Sequence, residues 1–204
     1  MNKYKLTPRK LFKHLKTIMI HKYYVFLYMC KCGMPIQGLL HDMSKFSPSE
    51  LFVNAKYYED GISPIDVQKK ALGYAKAWFH HKGCNPHHYE YWMDRFDDGC
   101  YTTRMPFRYS VEAICDSMAA NNAYLKEKAN AQTLYNWWNK VRTQTARHPD
   151  NKRFCNIVYN KILSNYLSTG KTEIPNMKYL KCTYNSVVNS SMYPDQIKLS
   201  EIIK

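Results

Sequence analysis

"LLHDMSKFSPSE", residues 39–50, sets a histidine beside an aspartate, a lysine three residues on, and then the opening of a helix. Two leucines precede the pair, so His41, Asp42 and Lys45 bring an imidazole, a carboxylate and an ammonium to a largely apolar stretch. Grouping ionisable side chains near a core is costly unless something offsets it. A divalent metal next to a phosphate would suit all three. Adjacent residues on a helix point about 100° apart. His41 and Asp42 therefore share a centre only near a helix end, or where Asp42 reaches across two ions.

Working outward, helical punctuation dominates. Thr7-Pro8 reads as an N-cap with proline at the first helical position and Gly33 as the stop, with Leu11, Leu15, Ile18, Val25 and Tyr28 at helical spacing between them. His14 and His21 lie seven apart, on nearly the same face. A short helix from about Pro35 should carry Leu39, Leu40, His41 and Asp42. Ser47-Pro48-Ser49-Glu50 reads as a capping box opening a helix to about Asp60. Ser63-Pro64-Ile65-Asp66 repeats that logic for a helix to His81, stopping near Gly83. Asn85-Pro86 is expected to start another, bearing His87, His88, Tyr91 and Trp92.

A loop with Asp97, Asp98 and Gly99 follows, then a helix from Pro106 to about Lys128 whose inward stripe is Val111, Ile114, Cys115 and Met118. Helices from about Ala131 to Arg147 and from Pro149 to Leu167 complete the body. No strong alternating strand pattern precedes residue 170. The expectation is an all-α fold: a helical bundle over residues 1–168, with an irregular C-terminal extension over 169–204.

The composition bounds the rest. A chain of 204 residues, 45% hydrophobic and 23% charged, suits one domain with a real core. Thirty basic against sixteen acidic residues give a formal net charge of +14. A field of that sign attracts phosphate-bearing small molecules and nucleic acid, although the lysines are scattered. Seven cysteines contain no C-x-x-C pair, which argues against a zinc ribbon or a thioredoxin-type site and for a reducing compartment. His21 and Lys22 interrupt the most apolar run, Ile18–Cys30, so no membrane span or signal peptide is expected. The expected location is cytoplasmic, the host's cytoplasm if the chain is phage-encoded.

The chemistry-bearing residues fall at five places where helices should converge: His21, His41-Asp42, His80-His81, His87-His88 and Asp116. Singly, each has an ordinary explanation as a core, surface or hydrogen-bonding residue. Together they suit one or two divalent transition-metal ions, Mn, Fe, Co, Ni or Zn, better than an oxygen-seeking calcium site.

The order His21, His41-Asp42, Asp116 in a helical chain resembles the HD-domain superfamily of metal-dependent phosphohydrolases. There a histidine, a His-Asp pair and a later aspartate bind the metal. Many members read H-D-x-G-K; here the run is His41-Asp42-Met43-Ser44-Lys45, with serine for glycine. Members with two metals add histidines in the interval that here holds His80, His81, His87 and His88. The stretches "WFHHKGCNPHHYEYW" (78–92) and "MPFRYSVEAICDSM" (105–118) are also similar to an uncharacterised bacterial and phage protein family. The resemblance spans roughly residues 8 to 165. The Gly-Tyr-Pro signature of the cyclic-dinucleotide phosphodiesterases is absent.

The resemblance implies hydrolysis of a phosphate ester, with a nucleotide as the foremost substrate class. Asp42 and Lys45 would be catalytic, and Lys45, Arg104 and Arg108 would meet the phosphate. His21, His41, Asp42 and Asp116 would hold the first metal, and His81 and His88, with His80 and His87 close behind, the second. Glu50 is expected to serve only its capping box. Two alternatives stay open: a di-iron oxygenase on the same scaffold, and a non-enzymatic protein binding nucleic acid or a partner. Trp137 and Trp138 could stack on bases in the latter, though paired helical tryptophans more often fill a core.

Overall fold

The computed structural model describes residues 4–202. It bears out the all-α class: ten α-helices among the described residues, with one small three-stranded sheet. Helix α1 (Pro8–Lys31) starts where expected, with the Thr7 side chain accepting from the Lys10 N–H, and ends at Cys32 before the left-handed Gly33. Its buried face is His14, Ile18, His21, Val25 and Met29. The two histidines therefore lie in the inward stripe, not at its margin.

Helix α2 (Pro35–Leu40) runs back against α1, and the two approach most closely at Gly38. A Cβ there would sit 2.7 Å from Met29 Cβ and 3.3 Å from Phe26 Cα. Helices α3 (Pro48–Lys56), α4 (Pro64–Leu72) and α5 (Lys76–Cys84) follow. Next come the strands β1 (Met93–Phe96) and β2 (Gly99–Thr103), then α6 (Phe107–Leu125), α7 (Ala131–Val141) and α8 (Pro149–Thr169). The chain closes with α9 (Met177–Asn189), β3 (Gln196–Lys198) and α10 (Leu199–Ile202).

The core lies between α1, α6, α7 and α8, where Val25, Met29, Ile114, Met118, Leu134, Trp138, Phe154 and Val158 are buried. Trp138 is fully enclosed and donates its indole N–H to Asn156 Oδ1 at 2.6 Å. Its neighbour Trp137 is 44% exposed. The pair thus divides between core and surface.

Several local expectations are corrected. The helix expected from Ser63 to His81 is two helices, because Gly73 adopts φ 80° and caps α4 with its N–H on the Lys69 carbonyl. Tyr74 consequently lies in the break between α4 and α5. Asn85 does not open a helix: its side chain turns back to donate to the His81 carbonyl at 2.7 Å, so it finishes α5, and residues 85–88 run as a loop. Residues 93–103 form a hairpin in which Phe96 pairs with Gly99 across an Asp-Asp turn. Strand β1 is mostly exposed and β2 buries only Thr102, which leaves little hydrophobic alternation to detect.

The segment after residue 169, expected to be irregular, contains helix α9. The Asn176 side chain accepts from the Tyr179 N–H, and Leu180 and Val187, two turns apart, are buried. Strand β3 then pairs antiparallel with β2. Helix α7 stops at Val141, short of the expected Arg147.

Tight contact at Gly38 makes a direct test. Gly38→Ala should lower stability to urea by about 1–3 kcal/mol through overpacking against α1. Gly83→Ala, whose Cβ would meet nothing within 4 Å, should instead be stabilising by up to about 1 kcal/mol, since α5 loses a flexible glycine.

Candidate metal centre

Helix α2 ends at His41, whose backbone is already extended (φ −53°, ψ 132°), and Asp42 follows in the left-handed region at φ 53°. That turn resolves the angular problem of two adjacent ligands, since neither residue is inside a helix. Lys22 of α1 holds it in place: its ammonium donates to the Leu39 carbonyl at 3.0 Å and the His41 carbonyl at 2.6 Å, satisfying two of the orphan acceptors at the α2 terminus.

Around His41 and Asp42 gather His21 from α1, His81 from α5, His87 and His88 from the following loop, and Asp116 and Glu112 from α6. Glu112 and Asp116 are one helical turn apart and so share a face. The Asp42 carboxylate is divided between two groups. Oδ2 lies 3.1 Å from His41 Nε2 and 3.7 Å from His21 Nε2. Oδ1 lies 3.4 Å from His81 Nε2 and 3.5 Å from His87 Nε2. Asp116 closes the first group, with Oδ1 3.0 Å from His21 Nε2 and 3.4 Å from His41 Nε2.

Two sets of side chains could therefore hold metal ions: His21, His41, Asp42 and Asp116, and Asp42, His81, His87 and His88, each with its ligand atoms within 4.8 Å of one another. A tetrahedron with bonds of about 2 Å has edges of roughly 3.3 Å, close to these spacings. The donor chemistry fits too. His87 Nε2, His88 Nε2 and Asp42 Oδ1 are buried with no hydrogen-bond partner, while Asp42 Oδ2 is paired with the Lys45 ammonium at 2.6 Å. Groups left so are exceptions that call for an explanation; a cation would provide it.

The far sides of the imidazoles are tied to carboxylates. His41 Nδ1 lies 2.8 Å from Glu112 Oε1, and His81 Nδ1 lies 2.8 Å from Glu50 Oε2. Such bonds set the tautomer with Nδ1 protonated and the Nε2 lone pair turned inward. A third ligand-like group, His41, His87 and Glu112, gathers around the Glu112 carboxylate, whose Oε1 also lies 3.4 Å from His87 Nδ1.

Burial and charge set the protonation states. Burial raises the Asp42 carboxyl, but His41 and Lys45 outweigh it and hold it well below the usual carboxylate range. Asp116 is depressed likewise, by hydrogen bonds from His21 and His41 acting against burial. Glu112, also opposed by burial, is brought down to about 2 by His41 and His87. Burial, then the Lys45 charge, lowers His21 to about 4. Burial would lower the Lys45 ammonium, yet Asp42, 2.6 Å away, and Asp116 keep it firmly protonated.

The remaining candidates are placed differently. His80 turns out of the cluster, its side chain 40% exposed and its Nδ1 2.7 Å from Glu50 Oε1. Arg104 is committed to Asp150, Asp195 and the Tyr193 carbonyl, so it braces the C-terminal segment. Arg108 lies over the Tyr109 ring at 4.4 Å and lines a cavity of about 550 Å³ that also reaches Asp42, His87 and Glu112.

Sequence reasoning passed over Glu112, although its i−4 spacing from Asp116 was the available signal. It also misassigned Glu50: Ser47 makes no side-chain cap bond, and Glu50, 1% exposed, serves His80 and His81 instead. Asn85 was missed as the bracket that bonds both Ser44 Oγ and the His81 carbonyl.

Over residues 10–164 the chain matches a family of unknown function, DUF5662, and it belongs to that family. No curated protein and no solved structure matches it. No described helix is long and apolar enough to cross a membrane.

The field of Lys45 extends to His14, a buried histidine two turns before His21 whose Nδ1 has no partner. Burial, followed by Lys45, lowers its pKa from 6.5 to about 4. Between those values the unfolded chain carries the extra proton, so stability is present above pH 6.5 and is lost as pH falls toward 4. In metal-free protein, His14→Gln should flatten the acid limb of the stability curve by up to about 1.4 kcal/mol per pH unit in that window, measured by urea denaturation.

Proposed function

We propose that this member of the DUF5662 family is a metal-dependent phosphohydrolase of the HD type, cleaving a phosphate ester, with a nucleotide as the foremost substrate class. One observation carries the reading: a single buried carboxylate, Asp42, turns one oxygen to His21 and His41, which Asp116 also approaches, and the other to His81 and His87. Shared carboxylates of this kind suit a pair of divalent ions, and the imidazole-rich donors favour Mn, Fe, Co, Ni or Zn. Bound divalent metal lowers the pKa of a coordinated water from about 15.7 to about 7 and polarises a phosphoryl oxygen.

The chain's own residues supply the setting. His21, His41, Asp42 and Asp116 would hold one ion; Asp42, His81, His87 and His88 would hold the other. Lys45, kept protonated at the edge of the cluster, offers a fixed positive charge to a phosphoryl oxygen. Arg108 brings a second guanidinium to the cavity beside Asp42 and His87. His80 and Arg104 have no part, their side chains being committed elsewhere.

The five imidazoles favour a second reading, an oxygen-using di-iron centre. Oxygen consumption by iron-loaded protein, with no phosphatase activity under any metal, would select it.

Elemental analysis of purified protein, followed by a phosphatase screen over nucleotides with Mn, Co, Ni and Mg, tests the proposal. Asp42→Ala should reduce metal-dependent kcat/KM by about 100-fold or more while leaving the far-ultraviolet helical signal in place. A variant of full activity would remove Asp42 from the chemistry.

A further inference from the structure

Glu50 is a buried carboxylate whose purpose the proposed reaction does not use. It stands on α3, only 1% exposed, and among the described residues its ion-pair partners are both imidazoles. Holding a carboxylate in that setting costs several kcal/mol unless its bonds repay it. Both oxygens are engaged: Oε2 with His81 Nδ1 at 2.8 Å and Oε1 with His80 Nδ1 at 2.7 Å.

His81 has other neighbours at the same nitrogen, Ser44 Oγ at 3.3 Å and Asn85 Nδ2 at 3.2 Å. An amide nitrogen there can only donate, which would suit an unprotonated Nδ1 and would turn the tautomer the wrong way. The shorter, charge-assisted contact to Glu50 decides the matter, protonating Nδ1 and leaving the Nε2 lone pair toward Asp42 Oδ1, 3.4 Å away. Glu112 does the corresponding service for His41 in the other ligand set. Glu112 also reaches the second set, its Oε1 lying 3.4 Å from His87 Nδ1. Glu50 pairs with His81 alone among the ligands of either set, and the two glutamates stand on different helices, α6 and α3.

We propose that Glu50 is a positioning residue that fixes His81 as a ligand of the second ion, so that occupancy of that ion, and not of the first, depends on it. The inference rests on the paired-ion reading above. Outer carboxylates of this type are typically worth about 10- to 100-fold in metal affinity.

The test is a titration of the full-length, metal-free protein with Co(II), followed by calorimetry and visible absorption, with ion counts by elemental analysis. The unaltered protein should bind two ions. Glu50→Gln should keep one at unaltered affinity and weaken the other by about 10- to 100-fold, with the matching part of the cobalt spectrum lost. Should Glu50→Gln not fold, Glu50→Asp, which withdraws the charge by one methylene, carries the same expectation. Two ions bound at unaltered affinity would overturn the proposal, as would equal weakening of both. Failure of both variants to fold would also overturn it, making Glu50 structural. An unaltered protein that binds fewer than two ions would instead refute the paired-ion reading, and this inference with it.

Discussion

The position of the Asp42 carboxylate is the constraint on which the rest depends. A non-glycine residue in the left-handed region costs about 1–2 kcal/mol, and Asp42 is almost completely buried as well. Such a residue persists only where its surroundings determine it. They do so from three sides. Gly38 lets α2 lie close on α1. Lys22 ties down the last carbonyls of α2. Lys45, from the 3-10 turn over Met43–Phe46, returns its ammonium to Asp42 Oδ2. The strained turn gives the two carboxylate oxygens different faces of the cluster, which a helical aspartate beside a helical histidine would not achieve.

The scaffold supplies the two halves of the cluster from separate elements. The α1–α6 pair, joined through the main core, contributes His21, Glu112 and Asp116. The other half comes from α5 and the loop after it, where Asn85 bonds α5 to Ser44 of the 3-10 turn and Trp92 donates to the Pro86 carbonyl. His88, packed edge-on against Trp78 and close to His81, is held by aromatic contact in place of a hydrogen bond. The first half is thus built on long helices. The second is built on a short helix and brackets between side chains.

That contrast explains what could be read from the residues. Long helices announce themselves: the Thr7-Pro8 start, the Gly33 stop and the stripe along α6 were all legible, and with them the all-α class and the placing of His21 and Asp116 on helices. The second half was less legible. The helix expected from Ser63 to His81 runs through Gly73, whose left-handed conformation ends one, and Asn85-Pro86 looked like a helix start although the asparagine side chain was spent on α5. The hairpin over 93–103 has too few buried positions to show alternation. In the extension Leu180, Tyr184 and Val187 mark the inward face of α9, a short stripe that is hard to see among polar residues. Glu50 was concealed for a different reason: its spacing from Ser47 satisfies a capping pattern, and only the approach of α5 shows which partner it takes.

Charge supplies the last link. Burial would lower the His41 imidazole, but Asp42, Asp116 and Glu112 raise it well above the usual histidine value. The four carboxylates in and around the cluster, Asp42, Asp116, Glu112 and Glu50, therefore face two positive charges, Lys45 and His41. The chain as a whole is strongly basic, so this interior runs against the sign of its surface. Leaving that negative excess in a largely buried site is unfavourable, and the unfilled Nε2 atoms of His87 and His88 cannot answer a carboxylate unless they are protonated. Two divalent cations, with His41 giving up its proton to become a ligand, would reverse the local sign to about one positive charge. An anion drawn inward by the basic exterior would then meet a receptive centre in place of a repulsive one. On the proposed reading, the metals make the acidic cluster and the basic surface parts of one arrangement.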